Sequence, residues 1–167
     1  MVIGTKYFGE IDVEESEIII FPFGLYGFES FNRFILIRDD ESDTPADIFM
    51  WLQSADDADL CFVVMDPTAI VPDYSPALPD GTAHKLDAGS DSVLRYLAIT
   101  VIHDDIESST VNLLSPIVIN SATHIASQVI LEQSDPRNSG FIPKQRIFVA
   151  ASVPDGYGTA PESPEVV

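Results

Sequence analysis

The chain is poor in cations. It holds 8 Lys and Arg against 27 Asp and Glu, a formal net charge of −19, and its isoelectric point is near 4.1. Affinity for nucleic acid comes largely from cationic groups that displace phosphate counterions. With no basic cluster in the sequence, direct binding of RNA or DNA is excluded as a function. A surface of this sign either complements a basic protein partner or serves solubility alone. Cysteine is almost absent too. The single Cys61 cannot form an internal disulfide, and within Leu60-Cys61-Phe62-Val63-Val64 it reads as a small buried hydrophobe.

Long apolar runs are also missing. No stretch approaches the ~20 residues needed to span a bilayer, so no membrane helix is expected. The opening Met1-Val2-Ile3-Gly4-Thr5-Lys6 has no basic region followed by an apolar one, which makes the cytoplasm the expected compartment. Catalytic signatures are scarce: there is no Gly-x-Ser-x-Gly elbow and no His-Glu-x-x-His. The histidines, His84, His103 and His124, lack zinc-ligand spacing. Gly24 and Gly27 are followed by no lysine and no helix signal, so they do not read as a phosphate loop. Asp39, Glu41 and Asp43 imitate the start of a calcium loop, but Thr44 and Met50 stand where its glycine and glutamate belong. No cofactor is implied. His103-Asp104-Asp105 is the one cluster of metal-ligand types, and it keeps open the alternative of a small-molecule-binding or metal-dependent β-barrel enzyme.

What the chain does have is apolar residues, 46% of its 167, enough for one core in a single domain expected over residues 1–150. Residues 151–167 read as a flexible tail, with prolines, glycines and carboxylates and little to bury. The core is organised by residues 97–120. Leu97-Ala98-Ile99-Thr100-Val101-Ile102 and a second run through Val111 and Ile117-Val118-Ile119 are rich in β-branched residues and read as an antiparallel hairpin around an acidic turn. Pro116 cannot donate to a ladder, so an edge, a bulge or a strand switch is expected there.

Other strands are predicted at residues 5–8, 18–21, 34–37, 48–53, 60–65, 128–131 and 147–150. Those at 48–53 and 60–65 form a second hairpin whose continuous apolar runs predict cover on both faces. Phe21-Pro22-Phe23-Gly24-Leu25-Tyr26-Gly27-Phe28 reads as a tight loop pinned by buried rings. Pro67, Pro72, Pro76 and Pro79 break the next segment into turns, held on the core by Ile70, Val71 and Tyr74. The only helix candidate is residues 80–87. The fold class is therefore mostly β, with at most one short helix.

Several of these blocks together resemble the flagellar assembly factor FliW family. The resemblance runs through Thr5 and Gly9, Ile20-Phe21-Pro22-Phe23-Gly24-Leu25-Tyr26-Gly27-Phe28, Trp51-Leu52-Gln53-Ser54 and Leu60-Cys61-Phe62-Val63-Val64-Met65-Asp66-Pro67. It continues in Pro72-Asp73-Tyr74, Asn112-Leu113-Leu114-Ser115-Pro116-Ile117-Val118-Ile119-Asn120 and Gln128, and covers about residues 3–132. Ser115 stands where the family usually has alanine, and Ala126 where it usually has glycine. The resemblance implies a compact antiparallel β pseudo-barrel that is not an enzyme. It also implies two partners, the basic translational repressor CsrA and flagellin. From charge and the lack of long apolar runs, no direct contact to nucleic acid or membrane is expected, and the unbound protein is expected to be a monomer. It does not fix the interface. Charge placement points to the two hairpin turns, with Asp56, Asp57 and Asp59 at one and Asp104, Asp105 and Glu107 at the other, as sites where a basic partner docks.

Overall fold

A computed structural model describes residues 1–38 and 48–148. The calcium-like Asp39, Glu41 and Asp43 and the tail from residue 149 lie outside the described residues. In chain order the strands are β1 (Val2–Gly4), β2 (Glu10–Asp12), β3 (Ile19–Ile20), β4 (Arg33–Ile37), β5 (Phe49–Ser54) and β6 (Cys61–Met65). They continue with β7 (Leu94–Val101), β8 (Thr110–Val111), β9 (Ile117–Asn120), β10 (Ala126–Gln128) and β11 (Gln145–Arg146). One α-helix, α1 (Thr82–Lys85), falls inside the segment expected to be helical. No described helix is long and apolar enough to cross a membrane.

The main sheet runs β10-β9-β7-β6-β5-β4-β3, with antiparallel neighbours throughout. It is closed by a parallel bridge from Ile20 to Ile125, where the Ile20 amide donates to the His124 carbonyl at 2.9 Å. That closure makes it the expected pseudo-barrel. Because successive side chains alternate across a strand, each long strand feeds two cores. Phe34, Met50, Leu52, Val64, Leu97, Ile117 and Ile119 point to one cluster, in the barrel lumen. Their neighbours Phe49, Met65, Ala98 and Val118 point outward, under residues 70–88 and the chain beyond β10. On a third face, Ile3, Val13 and Ile18 cover Ile35 of β4. The two-sided cover expected for β5 is observed, since all six of its residues are buried.

The long hairpin is present but interrupted. Leu97 sits opposite Ile117 and Thr100 opposite Val111, so three steps along β7 match six on the returning chain. The extra residues form a turn at 112–116 in which Asn112 Oδ1 accepts from the amides of Leu114 and Ser115, both at 3.1 Å. Pro116 therefore falls at a break in the ladder, as its missing donor requires. Three strand assignments need correction. Residues 5–8 are not a strand but the turn between β1 and β2, closed by Thr5 N donating to Gly9 O at 2.8 Å; the acidic Glu10–Asp12 takes the strand position instead. The strand expected at 128–131 lies two residues earlier, at Ala126–Gln128, because Ala126 must face Ile119 to fill the lumen. Of the strand expected at 147–150, residues 149 and 150 lie outside the described residues and 147–148 form no strand; Gln145–Arg146 pair with β8, and Ile147 is buried beyond them.

Candidate functional site

Two acidic turns that are about fifty residues apart in sequence come to the same end of the barrel. β5 and β6 are joined by the turn carrying Asp56, Asp57 and Asp59, and β7 and β8 by the turn carrying Asp104, Asp105 and Glu107. Since β6 and β7 are antiparallel, with Val64 opposite Ile99 and Met65 opposite Ala98, the start of β6 and the end of β7 face the same way. The β3–β4 loop reaches this end as well. Its Phe28 ring packs edge-on against Phe62 of β6 at a centroid distance of 5.1 Å.

The first turn is built around a fully buried amide. Gln53 Nε2 donates to the carbonyls of Ser54, Asp57, Ala58 and Leu60 at 3.0–3.3 Å. Its Oε1 accepts from the Lys6 amide at 3.0 Å, which ties the β1–β2 turn to the same node. Ser54 Oγ accepts from the Asp56 and Asp57 amides, both at 3.1 Å. Burying an amide costs free energy unless its hydrogen bonds are met, and here this requirement fixes the backbone that carries the carboxylates. Asp56 itself is engaged, because Arg33 Nε reaches its Oδ1 at 3.0 Å and Oδ2 at 3.3 Å. This hydrogen-bonded carboxylate raises the pKa of the guanidinium. Asp57 accepts from the Asp59 amide at 2.9 Å. Asp59 projects outward.

The second turn is organised by its own acid. Asp105 caps a 3-10 turn over Ile106–Ser108, accepting from Glu107 N at 3.2 Å and Ser108 Oγ at 3.0 Å. The buried Ser109 accepts from the His103 amide at 3.0 Å. Asp104 and Glu107 are exposed. Of the six carboxylates singled out from sequence, Asp56, Asp57 and Asp105 thus hold the turns, while Asp59, Asp104 and Glu107 point into solvent. Among the described residues no group of three or more His, Cys, Asp or Glu could hold a metal ion, and His103-Asp104-Asp105 is no exception.

The aromatic loop has a double character. Phe21 and Leu25 are buried in the lumen, whereas Phe23 and Tyr26 are more than half exposed, at 60% and 57%. Gln128 Oε1 accepts from the Tyr26 amide at 3.0 Å, pinning the loop to β10. Lys85 Nζ lies 5.6 Å from the centre of the Phe23 ring. Gly24 takes φ +64, and a Cβ there would fall 2.5 Å from Glu29 Cα, so the chain folds back on itself at this glycine.

These fixed polar nodes, Gln53, Ser54, Asn112 and Gln128, are the positions through which the sequence resembles a known family. The family model described as "FliW protein" matches residues 2–139. This chain belongs to the FliW family. The flagellar assembly factor FliW of Ruminiclostridium cellulolyticum is 37% identical over 135 residues, which cover 81% of this chain and 89% of that protein. That of Natranaerobius thermophilus is 41% identical over 137 residues, covering 81% and 87%. A crystal structure of the flagellar assembly factor FliW superposes with a TM-score of 0.76 at 32% identity, over 92% of this chain and all of that one. The FliW fold thus brings both acidic turns and Phe28 to one end. Sequence reasoning missed the part Gln53 plays. Its signal was an amide inside an otherwise apolar run, a residue type that is buried only when something satisfies it.

Proposed function

We propose that this FliW family member is a non-enzymatic, cytoplasmic regulatory protein. It binds and antagonises the translational repressor CsrA, and it binds flagellin, so that flagellin synthesis follows flagellar assembly. The observation that carries the reading is the convergence of two acidic turns on one end of the barrel, with Asp59, Asp104 and Glu107 left without cationic partners among the described residues. A repressor that grips messenger RNA must present cations. A surface of this sign attracts such a protein and repels RNA phosphates brought close to the complex. Flagellin is held by apolar contact instead, for which the exposed Phe23 and Tyr26 are suited. The free protein is a monomer and touches neither RNA nor membrane.

Titration with purified CsrA and with flagellin tests this directly. Reversing Asp104, Asp105 and Glu107 to Lys should slow association with CsrA and flatten its salt dependence, because steering charges act over a Debye length of about 8 Å at physiological ionic strength. The Asp56, Asp57 and Asp59 triple belongs in the same experiment. Wild-type association rates for both triples at low salt would show that the turns do not steer the repressor.

A further inference from the structure

The ladder between β6 and β7 is shorter than either strand. The two strands are paired at Met65–Ala98 and Val64–Ile99 only. Continuing that register would set Phe62 opposite Val101, but those residues are not paired, and the last tie is a side-chain bond from Thr100 Oγ1 to the Val63 carbonyl at 3.0 Å. The ladder stops short of the end where the acidic turns lie. Burial of the lumen-facing residues falls in the same direction. Val64 and Leu97 are fully buried, Phe62 and Ile99 are only partly buried against the same cluster, and Val101, next on that face, is 53% exposed. Phe28, 37% exposed, continues the apolar surface by its contact with Phe62. The acidic turns flank this surface, since Asp57 and Asp59 come just before β6 and Asp104, Asp105 and Glu107 just after β7.

An apolar surface edged by one sign of charge selects its occupant. A second copy of this chain would bring another net charge of −19 and the same acidic rim. The chain's own residues 149–167 contain Asp155, Glu162 and Glu165 and no Lys or Arg, so they carry the repelled sign as well. We infer that the surface formed by Phe28, Phe62, Ile99 and Val101 docks a segment of a partner protein in which large aliphatic side chains are flanked by Lys or Arg. The aliphatic groups pack on this partly exposed apolar surface and the cations meet Asp59, Asp104 and Glu107. Charge then governs encounter and the apolar contact governs release, the usual division at interfaces with a desolvated centre and a polar rim. This names the docking element for the basic partner and rests on the regulatory reading above.

The probe is a short labelled peptide with two leucines one helical turn apart and lysines at both ends, titrated at low and at high salt. At high salt, where steering is screened, Val101→Asn and Phe28→Ala should each weaken binding about tenfold, as loss of a central apolar anchor does. Val93→Asn is the control. Val93 is 70% exposed and lies just before the opposite end of β7, so its loss should change affinity less than twofold. Val101 is on the surface, so Val101→Asn should keep the wild-type melting temperature, and it decides the matter if Phe28→Ala disturbs its loop. Equal affinities for wild type, Val101→Asn and Val93→Asn overturn the docking site. The same variants titrated with CsrA separate the two readings. If CsrA binds the wild type and Val101→Asn alike, the docking site is wrong while the regulatory role stands. If CsrA fails to bind the wild type, the regulatory role falls and the peptide titration alone decides the docking site.

Discussion

Replacing Gly24 by Ala tests whether the aromatic loop is held in place by its backbone. Gly24 and Gly27 both have positive φ, at +64 and +85, but their surroundings differ. A Cβ at Gly24 meets Glu29 Cα at 2.5 Å and the carbonyl oxygens of Glu29 and Phe28 at 2.7 Å, whereas one at Gly27 meets nothing within 4 Å. Both substitutions carry the cost of a left-handed L-residue, roughly 1–2 kcal/mol. Only the first adds a backbone clash, and forcing extra volume into a packed site costs a further ~1–3 kcal/mol. Gly24→Ala should therefore lose about 2–5 kcal/mol and Gly27→Ala about 1–2. For a chain of this size each kcal/mol moves Tm by about 2–4 °C, so the two variants should be separable in one thermal scan, with urea midpoints as a check on two-state behaviour. Gly24→Ala should also lose whatever binding depends on Phe23, Tyr26 and Phe28, while Gly27→Ala should keep most of it. Equal destabilisation by the two variants would refute the close-approach argument and leave φ as the sole constraint.

Trp51 is 2% exposed and packs edge-on against Phe8 at 5.3 Å, so Trp51→Ala should cost roughly 3–5 kcal/mol; an unchanged melting midpoint would contradict that. Because Trp51 Nε1 is buried and finds no acceptor among the described residues, Trp51→Phe should cost much less than Trp51→Ala, its penalty being lost volume rather than a lost hydrogen bond. Burial pushes the Cys61 thiol up from 9.0 to about 11, partly offset by Lys6. At pH 8 it should therefore carry about a hundredfold less thiolate than an ordinary thiol and be alkylated correspondingly slowly by iodoacetamide; a rate equal to that of free cysteine would show an open thiol. The same shift means that the folded state holds this proton more tightly than the unfolded chain. Its stabilising contribution is complete below about pH 9 and is lost as pH rises through 11. Finally, the purified protein should give no retarded RNA band at physiological salt, since it has no cationic footprint.

The sequence by itself determined the central strand-forming segments, the hairpins on either side of each acidic turn, and the break at Pro116. Each of these follows from local chemistry: β-branched runs favour a pleat, carboxylates favour a turn, and a missing amide interrupts a ladder. Family membership was legible for a related reason, because the motif residues Gln53, Ser54, Asn112 and Gln128 make local or neighbouring-strand hydrogen bonds that need those side chains. Tertiary structure decided what depends on register. Residues 5–8 read as a strand and residues 10–12 did not, and pairing of Ile3 with Ile11 around Gly9 reversed the two. Only the order β5-β6-β7 brings Asp59 and Asp104 to one end, and only the bond from Arg33 removes Asp56 from the free acids. The early end of the β6–β7 ladder has no sequence signal either. Val101 reads as a core residue, and only its place past the last β6–β7 pair leaves it exposed.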